Sequence, residues 1–279
     1  MRDTMKKVYL HDLKEIRTIE VDTPQPHDTY VLIKTKATGI CGTDVHGYMG
    51  ETVFGRIFPF HLGHEVAGVV EAVGPACRLI QPGDHVVIDP LIACGVCEDC
   101  RAGRSNHCRD KTTIGRTGPG GFSDYIMMPE TSVYSYDPKM DFQTAALAEP
   151  LACVIHGIER ANIHLGDKVL IKGAGGIGQM HMAVARLAGA GVVALVDFNE
   201  GKLEKGKALG ADYALSPLAE DFQSQIDAIA PVGFDVVIDC TGAPRSVQDN
   251  MPLIRNGGTM LIFGVCPRDA TVDYHPHEL

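Results

Sequence analysis

The first half of the chain consists of short apolar runs separated by glycine, proline and polar residues. Four of these runs are rich in β-branched, aromatic and other apolar residues, and apolar runs bounded by turn residues predict β-strands. They cover residues 30–35, 66–73, 84–89 and 122–127. Short strands at this spacing are typical of an antiparallel, barrel-like domain. We therefore predict a mostly antiparallel β domain over residues 1–150.

From about Gln143 onwards the pattern changes to a helical period, and then to apolar strands that alternate with helices. This alternation is typical of a doubly wound parallel sheet. The predicted strands cover residues 168–172, 192–196, 212–215, 235–239 and 259–263. The sequence therefore predicts the α/β fold class, with a second domain over residues 151–279.

The last predicted strand bears on how the chain ends. A full dinucleotide-binding sheet has six strands, whereas five are predicted before Leu279. We expect residues 259–263 to form an exposed edge with apolar side chains, which favours irregular association. The sequence is compatible with a natural short form and with a protein that has been cut short. In both cases we expect lower stability and less turnover than in a chain that has the sixth strand.

Four cysteines lie close together in the first half, at Cys94, Cys97, Cys100 and Cys108. Gaps of two residues allow neighbouring thiolates to turn back onto one ion, and four sulfur ligands complete the tetrahedron of a structural zinc site. The alternative is a disulfide or redox cluster. The odd total of nine cysteines and the lack of a secretory signal favour zinc. We expect this ion to stabilise a loop and to take no part in chemistry.

A second group of metal-binding side chains is spread over a longer segment. Cys41 begins the run Cys-Gly-Thr-Asp-Val-His, and His64 and Glu65 follow in the run Gly-His-Glu. Three protein ligands with sulfur, nitrogen and oxygen donors and one open position are typical of a catalytic zinc. Glu149 adds a carboxylate within an apolar segment, where a buried charge needs a partner. A single cysteine or histidine is more often an ordinary core residue, so the prediction depends on the combination.

A glycine-rich turn follows the predicted strand 168–172 and precedes a helical run. The turn consists of Gly173, Ala174, Gly175, Gly176, Ile177 and Gly178. Small residues allow a dinucleotide pyrophosphate to approach the backbone, and the start of the helix faces that anion. The next apolar strand ends in Asp197, where a carboxylate binds the adenosine ribose and repels a 2′-phosphate. A solvated strand end is the alternative for Asp197. The sequence therefore predicts that NAD is preferred to NADP.

Composition excludes several other classes of protein. Hydrophobic residues make up 45% and charged residues 22% of the 279 residues, as in ordinary globular chains. The net charge of −10 argues against nucleic acid or an anionic membrane as the main partner. The sequence contains no apolar stretch of the roughly eighteen residues that a membrane span needs. These features, with nine cysteines better explained as metal ligands than as disulfides, predict a cytoplasmic enzyme.

The motifs together resemble those of the zinc-dependent medium-chain alcohol dehydrogenase family, along the whole chain. The segments that carry the resemblance are residues 41–46, 63–65, 94–108, 148–151 and 173–178. The resemblance implies a GroES-like catalytic domain followed by a Rossmann domain, two zinc ions per chain, and NAD. It also implies a homo-oligomer, a dimer or a tetramer, for the complete protein.

Within that family the chain is similar to the sorbitol (L-iditol) and threonine dehydrogenase branch. The evidence is Glu65 directly after His64, and Glu149 where other branches often carry a cysteine. The resemblance implies that Cys41 and His64 bind the catalytic zinc in every state. It implies that Glu65 and Glu149 are exchangeable oxygen ligands, one direct and the other acting through water or on displacement.

The resemblance also implies roles for four further residues. Thr43 would accept a hydrogen bond from the substrate hydroxyl and pass its proton through the cofactor ribose to His46. Asp197 and Lys202 would hold the adenosine ribose. For His46 the alternative is a partly exposed histidine near a turn.

The predicted reaction is zinc- and NAD-dependent oxidation of a secondary alcohol or polyol to the ketone by hydride transfer. One alternative is oxidation of an amino alcohol, as in an L-threonine 3-dehydrogenase. An alternative of another class is a catalytically idle zinc-bound scaffold or truncated form. Tyr48 and Phe122 are candidate walls of a substrate pocket, or else ordinary core residues.

Overall fold

The computed structural model describes residues 3–51 and 58–274. The chain divides into two compact units, Met1–Glu149 and Pro150–Leu279. The main sheet of the first unit is antiparallel, and the sheet of the second unit is parallel with helices between its strands. This architecture confirms the predicted α/β class, with a β domain followed by a doubly wound sheet. No helix of the described residues is long and apolar enough to cross a bilayer.

The first unit contains ten strands, three of them very short, in the part of it that the structure describes. They are β1 (Thr4–Asp12), β2 (Glu15–Asp22), β3 (Tyr30–Gly39), β4 (Phe60–His61), β5 (Glu65–Val73), β6 (His85–Ile88), β7 (Leu91–Ile92), β8 (Thr112–Thr113), β9 (Tyr125–Pro129) and β10 (Val133–Ser135). The main sheet has the order β10-β6-β5-β3-β9, and a smaller sheet has the order β2-β1-β4. Three short helices accompany them, α1 (Gly42–Met49), α2 (Glu98–Arg101) and α3 (Phe142–Ala146).

The pairing of β3 with β5 positions the first candidate metal site. The two strands are antiparallel over most of their length, and at the end of the pair Gly39 lies opposite Glu65. Val31 and Ile33 of β3 and Val66 and Val70 of β5 are buried in one apolar cluster of this sheet. Because this core fixes the register of the two strands, the segment after β3 and the segment before β5 meet at one edge.

One predicted strand begins later than expected. Residues 122–127 were expected to be extended, whereas β9 starts at Tyr125. The preceding residues bind a loop instead: the Gly121 N–H donates to the carbonyl of Gly63 at 2.8 Å, and the Phe122 N–H donates to Leu62 at 3.2 Å. The Phe122 carbonyl accepts the Val8 N–H of β1 at 2.8 Å, so these residues join the loop that carries His64 to the smaller sheet and do not extend β9.

The second unit is built around five parallel strands. They are β11 (Lys168–Lys172), β12 (Val192–Val196), β13 (Tyr213–Leu215), β14 (Phe234–Asp239) and β15 (Ile254–Ile262), in the order β13-β12-β11-β14-β15. The helices are α4 (Ala148–Ala161), which begins at the boundary of the units, α5 (Gly176–Ala188), α6 (Glu200–Ala208), α7 (Phe222–Ile229) and α8 (Pro244–Gln248).

The central strand β11 has apolar side chains on both faces of this sheet. Val169 and Ile171 lie in the apolar cluster that includes residues of α4 and α5, whereas Leu170 lies in the cluster that includes residues of α7. All three are fully buried. Burial on both faces explains the continuous apolar run that predicted this strand.

The strand β15 forms one edge of the described sheet. Of the apolar residues expected to be exposed there, Ile262 is 49% exposed, whereas Leu261 and Phe263 are partly buried against the core. The predicted consequence of this edge for stability and association also involves the last residues of the chain, and residues 275–279 lie outside the described part.

Candidate active site

Cys41, His64 and Glu65 come together at the shared edge of β3 and β5. Their ligand atoms all lie within 4.8 Å of one another. Ligands placed about 2.0–2.3 Å from a tetrahedral zinc lie about 3.3–3.8 Å apart, so this spacing suits the ion. A side chain at position 39 would overlap the Glu65 carboxylate, and Gly39 therefore provides the space that Glu65 occupies. The residues present fit a zinc ion with three protein ligands.

The electrostatics of this site favour a cation. Burial opposes the charged form of His64, but a hydrogen bond to Cys41 and nearby negative charges outweigh it and raise the pKa of His64 to about 9. These charges belong to Cys41, Asp44 and Glu149. Burial also raises the pKa of Glu65, and the neighbouring His64 offsets only part of that shift. Surroundings that stabilise positive charge are what a divalent ion requires.

Glu149 lies on a different element from the other three candidates. It is the second residue of α4, and its charge acts on His64. It is not one of the three residues whose ligand atoms lie within 4.8 Å of one another. The structure thus brings Cys41, His64 and Glu65 into one group and places Glu149 within electrostatic reach of it.

Asp44 holds this site together, and sequence reasoning assigned it no role. The Cys41 N–H donates to one carboxylate oxygen of Asp44 at 3.1 Å, and the Gly63 N–H donates to the other at 2.9 Å. Asp44 is only 5% exposed. It links the backbone beside one ligand to the backbone beside the next. A partial signal was available, since an acidic residue three positions after an N-cap is the capping-box position.

Thr43 and His46 project from the same short helix, α1. The Cys41 thiol lies 3.7 Å from the Thr43 hydroxyl oxygen, so Thr43 borders the metal site. His46 is about half-exposed, and its Nδ1 lies 3.4 Å from a carboxylate oxygen of Glu51. Thr43 therefore lies beside the candidate metal site, and His46 lies at the protein surface.

The four predicted structural cysteines form a separate cluster. Their sulfur atoms all lie within 4.8 Å of one another; Cys97 and Cys100 are 3.4 Å apart, and Cys94 and Cys100 are 4.0 Å apart. A tetrahedral zinc with four sulfur ligands requires about 3.8 Å between sulfurs. Backbone N–H groups of Val96 and Cys97 lower the pKa of Cys94 to about 7. All nine cysteines are free in the structure, so the disulfide alternative gains no support.

The glycine turn between β11 and α5 has the geometry that a pyrophosphate requires. Gly173 has a φ of +96°, which favours glycine, and a side chain at Gly178 would overlap the Gly173 carbonyl oxygen. Space is open beside Gly175 and Gly176, where an added Cβ would meet no atom within 4 Å. Ile177 packs against the core below. The turn thus fits a dinucleotide at the start of α5.

Asp197 lies at the end of β12 and faces this turn. One of its carboxylate oxygens accepts the Ala174 N–H at 2.8 Å, and the other accepts the Asn199 N–H at 2.9 Å. The Lys202 amino group lies 3.7 Å from Asp197. The structure therefore brings together the glycine turn, Asp197 and Lys202, the three parts of the predicted site for the ribose and the pyrophosphate.

Tyr48 and Phe122, the candidate pocket walls, pack against an apolar cluster in the first unit. The cluster contains Leu10, Phe60 and Leu62. Both side chains are only partly buried, and their place in a substrate pocket stays a prediction.

A three-donor zinc site in one unit and a dinucleotide turn in the other define the class of zinc- and NAD(P)-dependent dehydrogenases. Comparison with known proteins agrees with this class. Residues 27–138 match the alcohol dehydrogenase GroES-like domain, and residues 176–278 match the zinc-binding dehydrogenase family.

Individual relatives cover most of the chain. The sorbitol dehydrogenase of Bacillus subtilis (strain 168) is 34% identical, over 94% of this chain and 75% of that protein. The L-threonine 3-dehydrogenase of Pyrococcus horikoshii is also 34% identical, over 92% of this chain and 74% of that protein. The crystal structure of a zinc-binding dehydrogenase from Sinorhizobium meliloti 1021, bound to NADP, has a TM-score of 0.93 and 37% identity, and the match covers 99% of this chain and 81% of that one.

The chain belongs to the zinc-dependent medium-chain alcohol dehydrogenase family. The predicted resemblance is thereby confirmed, as are the enzyme class, zinc with a nicotinamide dinucleotide, and an alcohol or polyol as the type of substrate. The roles of individual site residues stay predictions.

Proposed function

We propose that the protein oxidises a secondary alcohol or polyol to the ketone and prefers NAD as the cofactor. The observation that carries this proposal is the convergence of Cys41, His64 and Glu65 within 4.8 Å, in a chain whose other unit carries the glycine turn. Zinc, when bound, supplies a Lewis acid for the substrate oxygen, and NAD supplies the hydride acceptor.

The side chains of the first unit bind the metal, bind the substrate hydroxyl and release its proton. Cys41 and His64 hold the metal, and Glu65 and Glu149 provide exchangeable oxygen ligands. Thr43, at the border of the site, accepts the hydrogen bond of the substrate hydroxyl. His46, which is about half-exposed, releases the proton to solvent, a role suited to an imidazole near neutral pH.

The preference for NAD follows from the position of Asp197. Its carboxylate is held beside the glycine turn by the Ala174 N–H, so it stands where a 2′-phosphate would meet negative charge. Lys202 is close enough to Asp197 to share the ribose hydroxyls. The relative from Sinorhizobium meliloti was solved with NADP, which makes the choice of cofactor worth measuring directly.

The cofactor proposal is tested by D197S. Loss of the repelling carboxylate should shift the ratio of NADP to NAD efficiency towards NADP by about ten-fold, equivalent to about 1.4 kcal/mol. The matched control is D212S, which removes a carboxylate that accepts the Val193 N–H at the other end of β12. Equal binding of NADP and NAD by the wild type would contradict the proposal.

L-Threonine is the second candidate substrate. The observation in its favour is that the L-threonine 3-dehydrogenase of Pyrococcus horikoshii is as similar to this chain as the sorbitol dehydrogenase is, at 34% identity each. We also propose that the protein forms a homo-oligomer and that it is located in the cytoplasm.

The decisive experiment is a turnover assay on the zinc-loaded protein with polyols, simple secondary alcohols and L-threonine. NADH formation with a polyol or secondary alcohol and little with L-threonine is the expected result. Turnover of L-threonine alone would favour the second candidate. Bound zinc without turnover of any substrate would favour the idle scaffold.

A further inference from the structure

A buried carboxylate lies at the end of β14, outside the metal sites and the glycine turn. Asp239 is the last residue of that strand and is 0% exposed. One of its oxygens accepts the backbone N–H of Thr241 at 2.9 Å and the Thr241 hydroxyl at 2.7 Å. The other accepts the Ser246 hydroxyl at 2.5 Å and the Asn250 amide at 3.1 Å. Four donors use the acceptor sites of an ionised carboxylate, so Asp239 ties the residues that follow β14 to the sheet.

The residues that Asp239 holds lie at the carboxyl ends of the parallel strands, beside a crevice between β11 and β14. In the order β13-β12-β11-β14-β15, the chain runs outward from β11 through β12 and β13, and then continues on the other side of β11 at β14. Ligands of open α/β sheets bind outside the carboxyl ends of the strands at this switch point. The glycine turn follows β11 and residues 240–243 follow β14. These two segments are therefore the opposing walls of the crevice.

The two walls lie close together, with little room for a side chain at Gly173. A Cβ added at Gly173 would lie 3.3 Å from the carbonyl carbon of Cys240 and 3.3 Å from the Thr241 methyl group. On its other side the loop is closed by Gly242, where a Cβ would lie 2.7 Å from the Val265 carbonyl oxygen. Because the loop has little free space on either side, a shift of Thr241 would be transmitted to the glycine turn.

A second hydrogen bond joins α8, the helix that contains Ser246, to β11. The Lys172 amino group, at the end of β11, donates to the Ser246 carbonyl at 3.2 Å. Burial lowers the pKa of Lys172, and the negative charges of Asp239 and Asp249 oppose this. Ser246 thus contacts Asp239 through its hydroxyl and Lys172 through its carbonyl, and α8 is held to both strands that flank the crevice.

We propose that Asp239 is a positioning residue for the dinucleotide. By holding residues 240–243 and α8 in place, it sets the crevice wall that faces the glycine turn. This inference rests on the dinucleotide-dependent function proposed above, and it assigns that function a residue that would not itself touch the substrate.

The test is equilibrium binding of NADH to D239N. The chain contains no tryptophan, so binding can be followed by the emission of NADH itself. The amide retains one acceptor oxygen, and the loss of hydrogen bonds to a charged acceptor should raise the Kd for NADH by about ten-fold or more. In steady state the KM for the dinucleotide should rise more than kcat falls.

The matched control is D235N. Asp235 lies on the same strand, near its other end, and accepts the Lys168 N–H at 2.7 Å and the Arg255 guanidinium at 2.5 Å. D235N should lower thermal stability but change the Kd for NADH by less than about two-fold, since distant sites act independently. If D239N and D235N lose similar stability and both bind NADH like the wild type, Asp239 is only structural and the inference is wrong.

Two further variants keep the test decisive. In D239N/N250D the carboxylate and the amide exchange places, and recovery of most of the lost affinity is expected. T241V keeps a methyl group beside Gly173 but removes the hydroxyl that donates to Asp239, so it should weaken NADH binding even if D239N does not fold. Unchanged binding by T241V would overturn the inference. Failure of the wild type to bind NADH would instead overturn the proposed function.

Discussion

The two candidate metal sites of the first unit are built in opposite ways. In one of them, which we call the closed site, four cysteines would fill every ligand position. These cysteines lie on one short segment, residues 94–108, and no paired strand of the main sheet is needed to bring them together. In the other, the open site, three candidate ligands leave one position free. Cys41 follows β3, whereas His64 precedes β5 and Glu65 is its first residue. The closed site follows from local spacing, whereas the open one depends on strand register.

This difference has a functional consequence. Four thiolates fill every position of a tetrahedral ion, so the closed site can only stabilise the surrounding loop. Three protein donors leave one position for water or substrate, and a catalytic site needs that position. Asp44 accepts N–H groups from both segments that carry the candidate ligands, so we expect it to support the open site although it is not a ligand.

The largest expected effect separates the two sites by mutation. H64A should retain the zinc of the four cysteines, lose the other ion, and lose about a thousand-fold in activity, since Lewis-acid catalysis supplies several kcal/mol. Zinc analysis and the turnover assay measure both changes. H107A, an exposed histidine beside the four-cysteine cluster, is the control and should retain two zinc ions and full activity. Two zinc ions in H64A would show that the sites have been assigned wrongly.

Mild chelation should separate the sites without mutation. We expect the first ion removed to come from the open site, because a site accessible to water exchanges more readily than one closed by four sulfurs. Activity should disappear with that first ion and return when zinc is added back. Loss of both ions in parallel with activity would mean that the two sites do not differ as described.

A smaller effect is expected from D44N. The amide can accept only one of the two N–H groups, so the open site should lose about 10–100-fold in zinc affinity, as when other groups that support metal ligands are removed. The four-cysteine site should be unaffected. The control is D84N, a carboxylate of the same unit that accepts the Gln81 N–H in a turn. Equal zinc affinity in D44N and D84N would show that Asp44 does not support the site.

The smallest effect should come from H46A, which leaves the metal in place. Release of a proton from the alcohol is hardest near and below neutral pH, so oxidation should fall mainly there. The loss should be about ten-fold, smaller than for direct proton transfer, because water can replace a half-exposed histidine. Zinc content should be unchanged. A loss of activity that is the same at every pH would contradict the relay role of His46.

Much of the fold, the four-cysteine cluster and the glycine turn could be predicted because their signals are local. The spacing of Cys94, Cys97 and Cys100 predicts a metal cluster without any knowledge of the fold, and the glycine turn predicts a strand followed by a helix. Four strands of the parallel sheet were predicted to within one residue from their apolar runs, whereas β15 begins at Ile254, five residues before the predicted start. The start of β9 was not, because the N–H groups of Gly121 and Phe122 bind the loop before β5, and the Phe122 carbonyl accepts the Val8 N–H of β1.

The sequence by itself therefore predicted the α/β fold class, the four-cysteine cluster and the glycine turn, since each depends on residues that are near one another along the chain. Only the tertiary structure decided which carboxylates support these sites. Asp44 accepts a backbone N–H from Gly63, and Asp239 accepts hydrogen bonds from four donors at the end of β14. A buried carboxylate depends on the donors that surround it, and packing brings those donors together from separate parts of the chain.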